Sequence, residues 1–256
     1  MRLILSGSSR SGTTITMQML NKHQDIHITN EARAFFRDTI DREGAEKYFN
    51  RIQHYVNRRD HAYRRFPEGF DSHNIKELCM KKLKSDDLDG KTQAFCDAIN
   101  VNNWKFTGDK GADPSVLVEM AEQGLEFKLI WIHRDGRDAA HSGVINGKPG
   151  AGPPWSSDYR VNAKGWTGRV LGFLDNIDKF SNVDYTILRF EDYADEPGLN
   201  GKKINHFLGV TNMEYIEKSM IDPDRIKQGY GIKAHPDWRQ HFSENGKRAL
   251  KMLGYI

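Results

Sequence analysis

Short apolar runs recur along the chain, each ending at a Gly, Arg, Asp or Lys and followed by a helical pattern. That alternation predicts βα units and an α/β fold: a central, mainly parallel sheet of about five strands flanked by helices. Arg2 to Ser6 reads as the first strand, with a helix from about Thr13 to Lys22 in which Ile15 and Met19 lie four apart and Met17 and Leu20 three apart. Ile26 to Thr29 and Lys105 to Asp109 read as the second and third strands. The next helix carries its own punctuation, with Asp113 as N-cap, Pro114 at the first helical position and Gly124 closing it. Phe127 to Ile132 (FKLIWI) is nearly continuous in apolar residues, the pattern of a central strand buried on both faces. Val183 to Leu188 completes the set.

Two stretches depart from this rhythm. From about Asp41 to Asp89 the chain is charged and helix-compatible and holds the basic-aromatic run Arg51 to Phe66. It reads as a helical insertion, occupying about residues 41–100 in the predicted layout, with the basic run a solvated helix face rather than a polyanion site. Asn146 to Arg160 (NGKPGAGPPWSSDYR) is a long Gly/Pro-rich loop, the kind that acts as a lid or binding loop.

Composition narrows the class. At 256 residues the chain fits a single domain, 1–256, large enough to bury a core without disulfides or metals. Lys plus Arg is 38 against 35 for Asp plus Glu, a net +3, too small a surplus for a protein that coats nucleic acid. Cys79 and Cys96 are too few for a metal tetrad and too far apart for a redox pair. The apolar run after Met1 is far too short for a signal-peptide core or a span. A reduced, cytoplasmic protein with no membrane span is expected, and oligomeric state is left open.

Chemistry first appears after the first strand. Gly7-Ser8-Ser9-Arg10-Ser11-Gly12-Thr13-Thr14 matches the spacing of the phosphate loop GxxxxGK[ST], with Gly7, Gly12 and Thr14 in register. The full prediction is therefore a three-layer P-loop-like fold. Loop amides and the helix N-terminus there cradle a phosphate. The lysine position, however, holds Thr13, which argues against triphosphate chemistry, and Arg10 supplies a cation inside the loop.

A second anion site is suggested where FKLIWI ends in His133-Arg134-Asp135-Gly136-Arg137-Asp138-Ala139-Ala140-His141-Ser142. Ligands of open α/β sheets sit beyond the carboxyl ends of the strands, where Arg134 lies. Ser142 follows eight residues later, about two helical turns on. A guanidinium and a hydroxyl so spaced suit a separate phosphate. Taken alone, Arg134 equally fits an ion pair with Asp135 or Asp138. A protein-kinase reading of His-Arg-Asp fails because Ala140 stands at the asparagine position. His133 and His141 read as satisfied polar neighbours rather than catalysts.

Together these residues resemble the sulfotransferases that use 3′-phosphoadenosine 5′-phosphosulfate (PAPS), and in RSGTT and RDGR the tyrosylprotein and carbohydrate branch. The resemblance implies that Arg10, Ser11, Gly12, Thr13 and Thr14 hold the 5′-phosphosulfate and that Arg134 and Ser142 hold the 3′-phosphate. It implies Glu31 in Asn30-Glu31-Ala32-Arg33 as general base, with Arg10 and Lys110 stabilising charge on the transferred group and the leaving phosphate. Arg33 then orients Glu31 or contacts an anionic acceptor. Trp166, Leu188 to Asp192, Trp238 and Leu253 to Tyr255 resemble later landmarks of the family, while Asn30 replaces a glycine and Phe190 a common tyrosine. The implied reaction moves a sulfuryl group to the hydroxyl of a carbohydrate, tyrosine or small metabolite, without a metal, and leaves adenosine 3′,5′-bisphosphate. The alternatives are a small-molecule kinase of the P-loop class and a non-catalytic nucleotide- or glycan-binding protein. Lys233 and Arg239 are further candidates to close over the cofactor, on spacing that carries little information.

Overall fold

The computed structural model describes residues 1–31, 88–226 and 228–256. In chain order the elements are β1 (Leu3–Gly7), α1 (Thr13–Leu20), β2 (Ile26–Asn30), α2 (Leu88–Ile99), β3 (Phe106–Lys110), α3 (Pro114–Glu122), β4 (Lys128–His133), α4 (Gly136–Ile145) and α5 (Tyr159–Leu174). They continue with β5 (Asp184–Arg189), α6 (Asp192–Asp195), α7 (Leu199–Leu208), α8 (Met213–Met220), α9 (Tyr230–Ala234), α10 (Trp238–His241) and α11 (Glu244–Met252). The five strands form one sheet in the order β2-β3-β1-β4-β5, and β3 runs parallel to both β1 and β2. The α/β class and the five-stranded sheet are as the apolar runs predict. Four strands are displaced by one residue from their predicted limits and β2 ends one residue later, because the apolar pattern reports side-chain burial while backbone pairing sets the ends. Of the predicted insertion, only its far end, with α2, falls among the described residues; Arg33, Cys79 and the run Arg51 to Phe66 lie outside them.

Contacts divide the described chain into two compact units. The first comprises Met1–Ser6, Thr14–Ile130 and Asp178–Tyr185. β1 and β3 are buried throughout and β2 all but His27, with Leu3, Ile4, Leu5, Ile28 and Phe106 in the core beside Phe95 and Ile99 of α2. Gly108 permits β3 to close on β1, since a Cβ there would fall 1.8 Å from the Leu3 carbonyl oxygen. Helix α3 begins as its sequence announces: the Asp113 side chain accepts the Ser115 N–H, and Pro114 follows. Helix α1 stops two residues earlier than predicted. Asn21 spends its side chain on β2, accepting the Ile28 N–H and donating to the Ile28 carbonyl, each at 2.7 Å. Cys96 is buried, and burial pushes its thiol up to about 12, which leaves it inert at neutral pH.

The second unit comprises Gly7–Thr13, Trp131–Ile177 and Thr186–Ile256. Its core gathers Tyr159, Trp166, Val170, Trp238, Phe242 and Leu250 between α4, α5 and the final helices. Asp138 of α4 is buried and accepts the N–H groups of Gly229 and Gly231 at 2.7 and 2.6 Å, docking the start of α9. The loop between α4 and α5 is fastened through buried Asn162. Its amide accepts the Ser156 N–H and donates to the carbonyls of Ser156 and Ala140. Among the described residues, no helix is long and apolar enough to cross a membrane, and no three His, Cys, Asp or Glu side chains gather to hold a metal.

Candidate active site

Within the second unit the loop after β1 turns tightly against the end of β4. The Ser8 N–H donates to the Ile132 carbonyl at 3.2 Å, and a Cβ on Gly7 would stand 2.1 Å from that same oxygen. Only glycine allows this approach. Ser8 and Ser11, both buried, hydrogen-bond through their hydroxyls and brace the loop from inside. At its apex Arg10 adopts φ 64°, the left-handed region that costs an L side chain about 1–2 kcal/mol. Its Nε donates to Ser142 Oγ at 3.1 Å, and its guanidinium lies 4.6 Å from the centre of the Trp155 ring.

Arg134 follows β4 and is buried. Its Nη1 donates to the Arg10 carbonyl at 3.4 Å, while its guanidinium lies over the Phe190 ring at 4.6 Å. Asp135, one of two carboxylates expected as possible partners, is occupied by a bidentate pairing with Arg137. The other, Asp138, stands 4.0 Å from Arg134. Burial, then the charge of Arg134, lowers the Arg10 pKa; burial also lowers that of Arg134, against the pull of Asp138, Glu191 and Asp135. The charge of Arg134 thus weighs on Arg10, whose guanidinium faces the same loop. The structure brings Ser142 to the side chain of Arg10 and Arg134 to its carbonyl, and adds Trp155 and Phe190. Nothing in the sequence marked Trp155 beyond its place in the Gly/Pro-rich loop.

Within the first unit a second group forms where β2 and β3 end. Their parallel register pairs Asn30 with Lys110, so Glu31, the next residue, stands beside the strand-end lysine. Lys110 Nζ lies 2.6 Å from Glu31 Oε1 and donates to Thr14 Oγ1 at 3.4 Å. The Lys110 side chain is 4% exposed and that of Glu31 53%, so the ammonium is fixed while the carboxylate opens to solvent. Glu31 adopts φ 54°. Among the described residues four non-glycine positions have positive φ; two are asparagines, which tolerate it, and the other two are Arg10 and Glu31. Strain of this kind is concentrated at working sites. In the second unit, Gly12 carries the chain towards α1 at φ 84°, and Thr13 opens the helix.

The family model for the sulfotransferase family matches residues 3–214 of this chain. The chain belongs to the sulfotransferase family. The enzyme class that the motifs predict, a sulfotransferase rather than a kinase, is thereby borne out. No curated protein matches this sulfotransferase. Among solved structures it is similar to the sulfotransferase domain from the curacin biosynthetic pathway, at TM-score 0.60 and 15% identity over 99% of this chain and 97% of that one. It is also similar to the sulfotransferase domain of the Synechococcus PCC 7002 olefin synthase, at TM-score 0.54 and 16% identity, covering 100% and 94% of the two chains. A sulfotransferase from Alicyclobacillus acidocaldarius matches at TM-score 0.53 and 14% identity, covering 99% and 96%. At these identities the likeness concerns the fold, and the sulfotransferase's fold is the one its sequence predicts.

Proposed function

We propose that this sulfotransferase moves the sulfuryl group of PAPS to an acceptor hydroxyl by in-line transfer, with Glu31 as general base. The observation that carries the reading is the Arg10–Arg134–Ser142 group: two cations and a hydroxyl held together at a phosphate loop that lacks its lysine. Arg134 and Ser142 hold the 3′-phosphate and so favour PAPS over ATP. The loop amides from Ser11 to Thr14, with the Thr13 and Thr14 hydroxyls, hold the 5′-phosphate. Arg10 and Lys110 stabilise charge that builds on the transferred group and the leaving phosphate, where fixed donors contribute most. Glu31 takes the acceptor proton; its pairing with Lys110 orients the carboxylate, and its exposure leaves it open to an acceptor. Arg33, two residues on, is assigned to an anionic acceptor. The acceptor is a carbohydrate, a tyrosine or a small metabolite; the RSGTT and RDGR segments support the first two.

Glu31→Gln tests the mechanism. Loss of a general base costs about 10²–10⁴-fold in rate, so turnover should fall within that range while adenosine 3′,5′-bisphosphate binds as to wild type. Mass spectrometry of a mixed acceptor pool incubated with PAPS identifies the product. Wild-type turnover by the variant would remove Glu31 from the role.

A further inference from the structure

A buried polar cluster in the second unit has no part in the chemistry above. Glu191 follows Phe190 and is 3% exposed. One carboxylate oxygen accepts the Asp135 N–H at 2.9 Å; the other accepts the Tyr255 hydroxyl at 2.8 Å and lies 3.5 Å from Arg189 Nε. With its proton committed to Glu191, the Tyr255 oxygen accepts from His133 Nδ1 at 3.0 Å. The Tyr255 carbonyl accepts from Arg137 Nη2 at 3.0 Å, and Arg137 grips Asp135, the N-cap of α4. Tyr255 therefore touches His133 on one side of Arg134 and, through Glu191 and Arg137, Asp135 on the other. The Arg134 side chain lies over Phe190, the neighbour of Glu191 in the chain.

We propose that Tyr255 and Glu191 are positioning residues for Arg134, setting how well this sulfotransferase tells a 3′-phosphate from a 3′-hydroxyl. The inference rests on the assignment of Arg134 to the 3′-phosphate. A side chain needed only to fill this space would be apolar, since desolvating a carboxylate is costly. Here the carboxylate is engaged by the Asp135 N–H beside Arg134, by Arg189 at the end of β5 and by Tyr255, which itself bonds to His133 on the other side of Arg134. The cluster fixes the backbone on both sides of one arginine. A guanidinium that must meet a phosphate in a forked geometry gains from that fixation.

Tyr255→Phe removes one hydroxyl and keeps the ring, and Glu191→Gln keeps an oxygen able to accept the Asp135 N–H. Titration calorimetry compares adenosine 3′,5′-bisphosphate with AMP on wild type, on these two variants and on Glu191→Ala. Loss of a hydrogen bond to a charged group is worth roughly tenfold or more, so Tyr255→Phe should weaken the bisphosphate about tenfold and AMP by less than about twofold. Glu191→Gln should weaken the bisphosphate by less than Glu191→Ala does, and kcat at saturating PAPS should hold in Tyr255→Phe. Equal losses for both nucleotides, or no loss, would overturn the inference, and Glu191→Gln decides it if the tyrosine variant does not fold. A wild-type protein with no preference for the bisphosphate would instead overturn the assignment of Arg134.

Discussion

Replacing Arg10 by glycine and by alanine separates the backbone of the phosphate loop from its side chain. Both substitutions delete the bond to Ser142, the contact with Trp155 and the repulsion from Arg134, so those effects cancel in the comparison. What differs is tolerance of φ 64°. An L residue there costs about 1–2 kcal/mol, and glycine loses about 0.4–1 kcal/mol through the greater freedom of its unfolded chain. The balance makes Arg10→Gly more stable than Arg10→Ala by about 0.5–1 kcal/mol, the reverse of the usual order of these residues. For a chain of this size that is a Tm difference of about 1–4 °C. Urea denaturation should show the same difference with equal m-values. An alanine variant as stable as the glycine variant would mean that Arg10 is not held in the left-handed region, and the strain assigned to this loop would go with it.

His133 supplies a pH test. Burial, with Arg189 second, lowers its pKa from 6.5 to about 4, so between those values the unfolded chain takes up a proton that the folded chain refuses. Stability present above pH 6.5 is lost as the pH falls towards 4, by about 3 kcal/mol in all and about 2 kcal/mol by pH 5. The stability of His133→Gln should lack that part of the slope; parallel curves for variant and wild type would contradict it. Trp155→Ala removes a cation–π contact worth about 0.5–1 kcal/mol, and kcat should fall about two- to fivefold, with Trp155→Phe recovering most of it. An unchanged kcat in Trp155→Ala would show that the ring does not set Arg10.

The parts of the site legible in the sequence were those that lie close along the chain. The run LILSG followed by SSRSGTT announced strand, loop and helix, and the step from Arg134 to Ser142 fell within one strand end and two helical turns. Glu31 and Lys110 are 79 residues apart, and what joins them is the parallel register that pairs Asn30 with Lys110. Local sequence does not encode that register, so only likeness to a family pointed to both residues. The left-handed conformations of Arg10 and Glu31 were hidden for a different reason. Glycine or asparagine advertises positive φ, whereas an arginine or glutamate placed there gives no local sign of it. Tyr255 and Glu191 stood out only as landmarks, because their connection spans 64 residues and depends on how β5 and the end of the chain fold around Arg134.

The missing loop lysine and the buried strand lysine belong to one account. In a loop of the form GxxxxGK[ST] the ammonium rises from the start of the helix, and at that position this chain has Thr13. Lys110 brings an ammonium to the same first turn from the tip of β3, where its Nζ donates to Thr14 Oγ1. Its height there is set by strand register rather than by the loop, and the buried four-carbon stem leaves it little freedom. Moving the cation to the strand also sets it against Glu31, which a lysine within the loop would not do by register. The ammonium that donates to Thr14 is therefore already paired with a solvent-facing carboxylate, so the register that places Lys110 also fixes where Glu31 points.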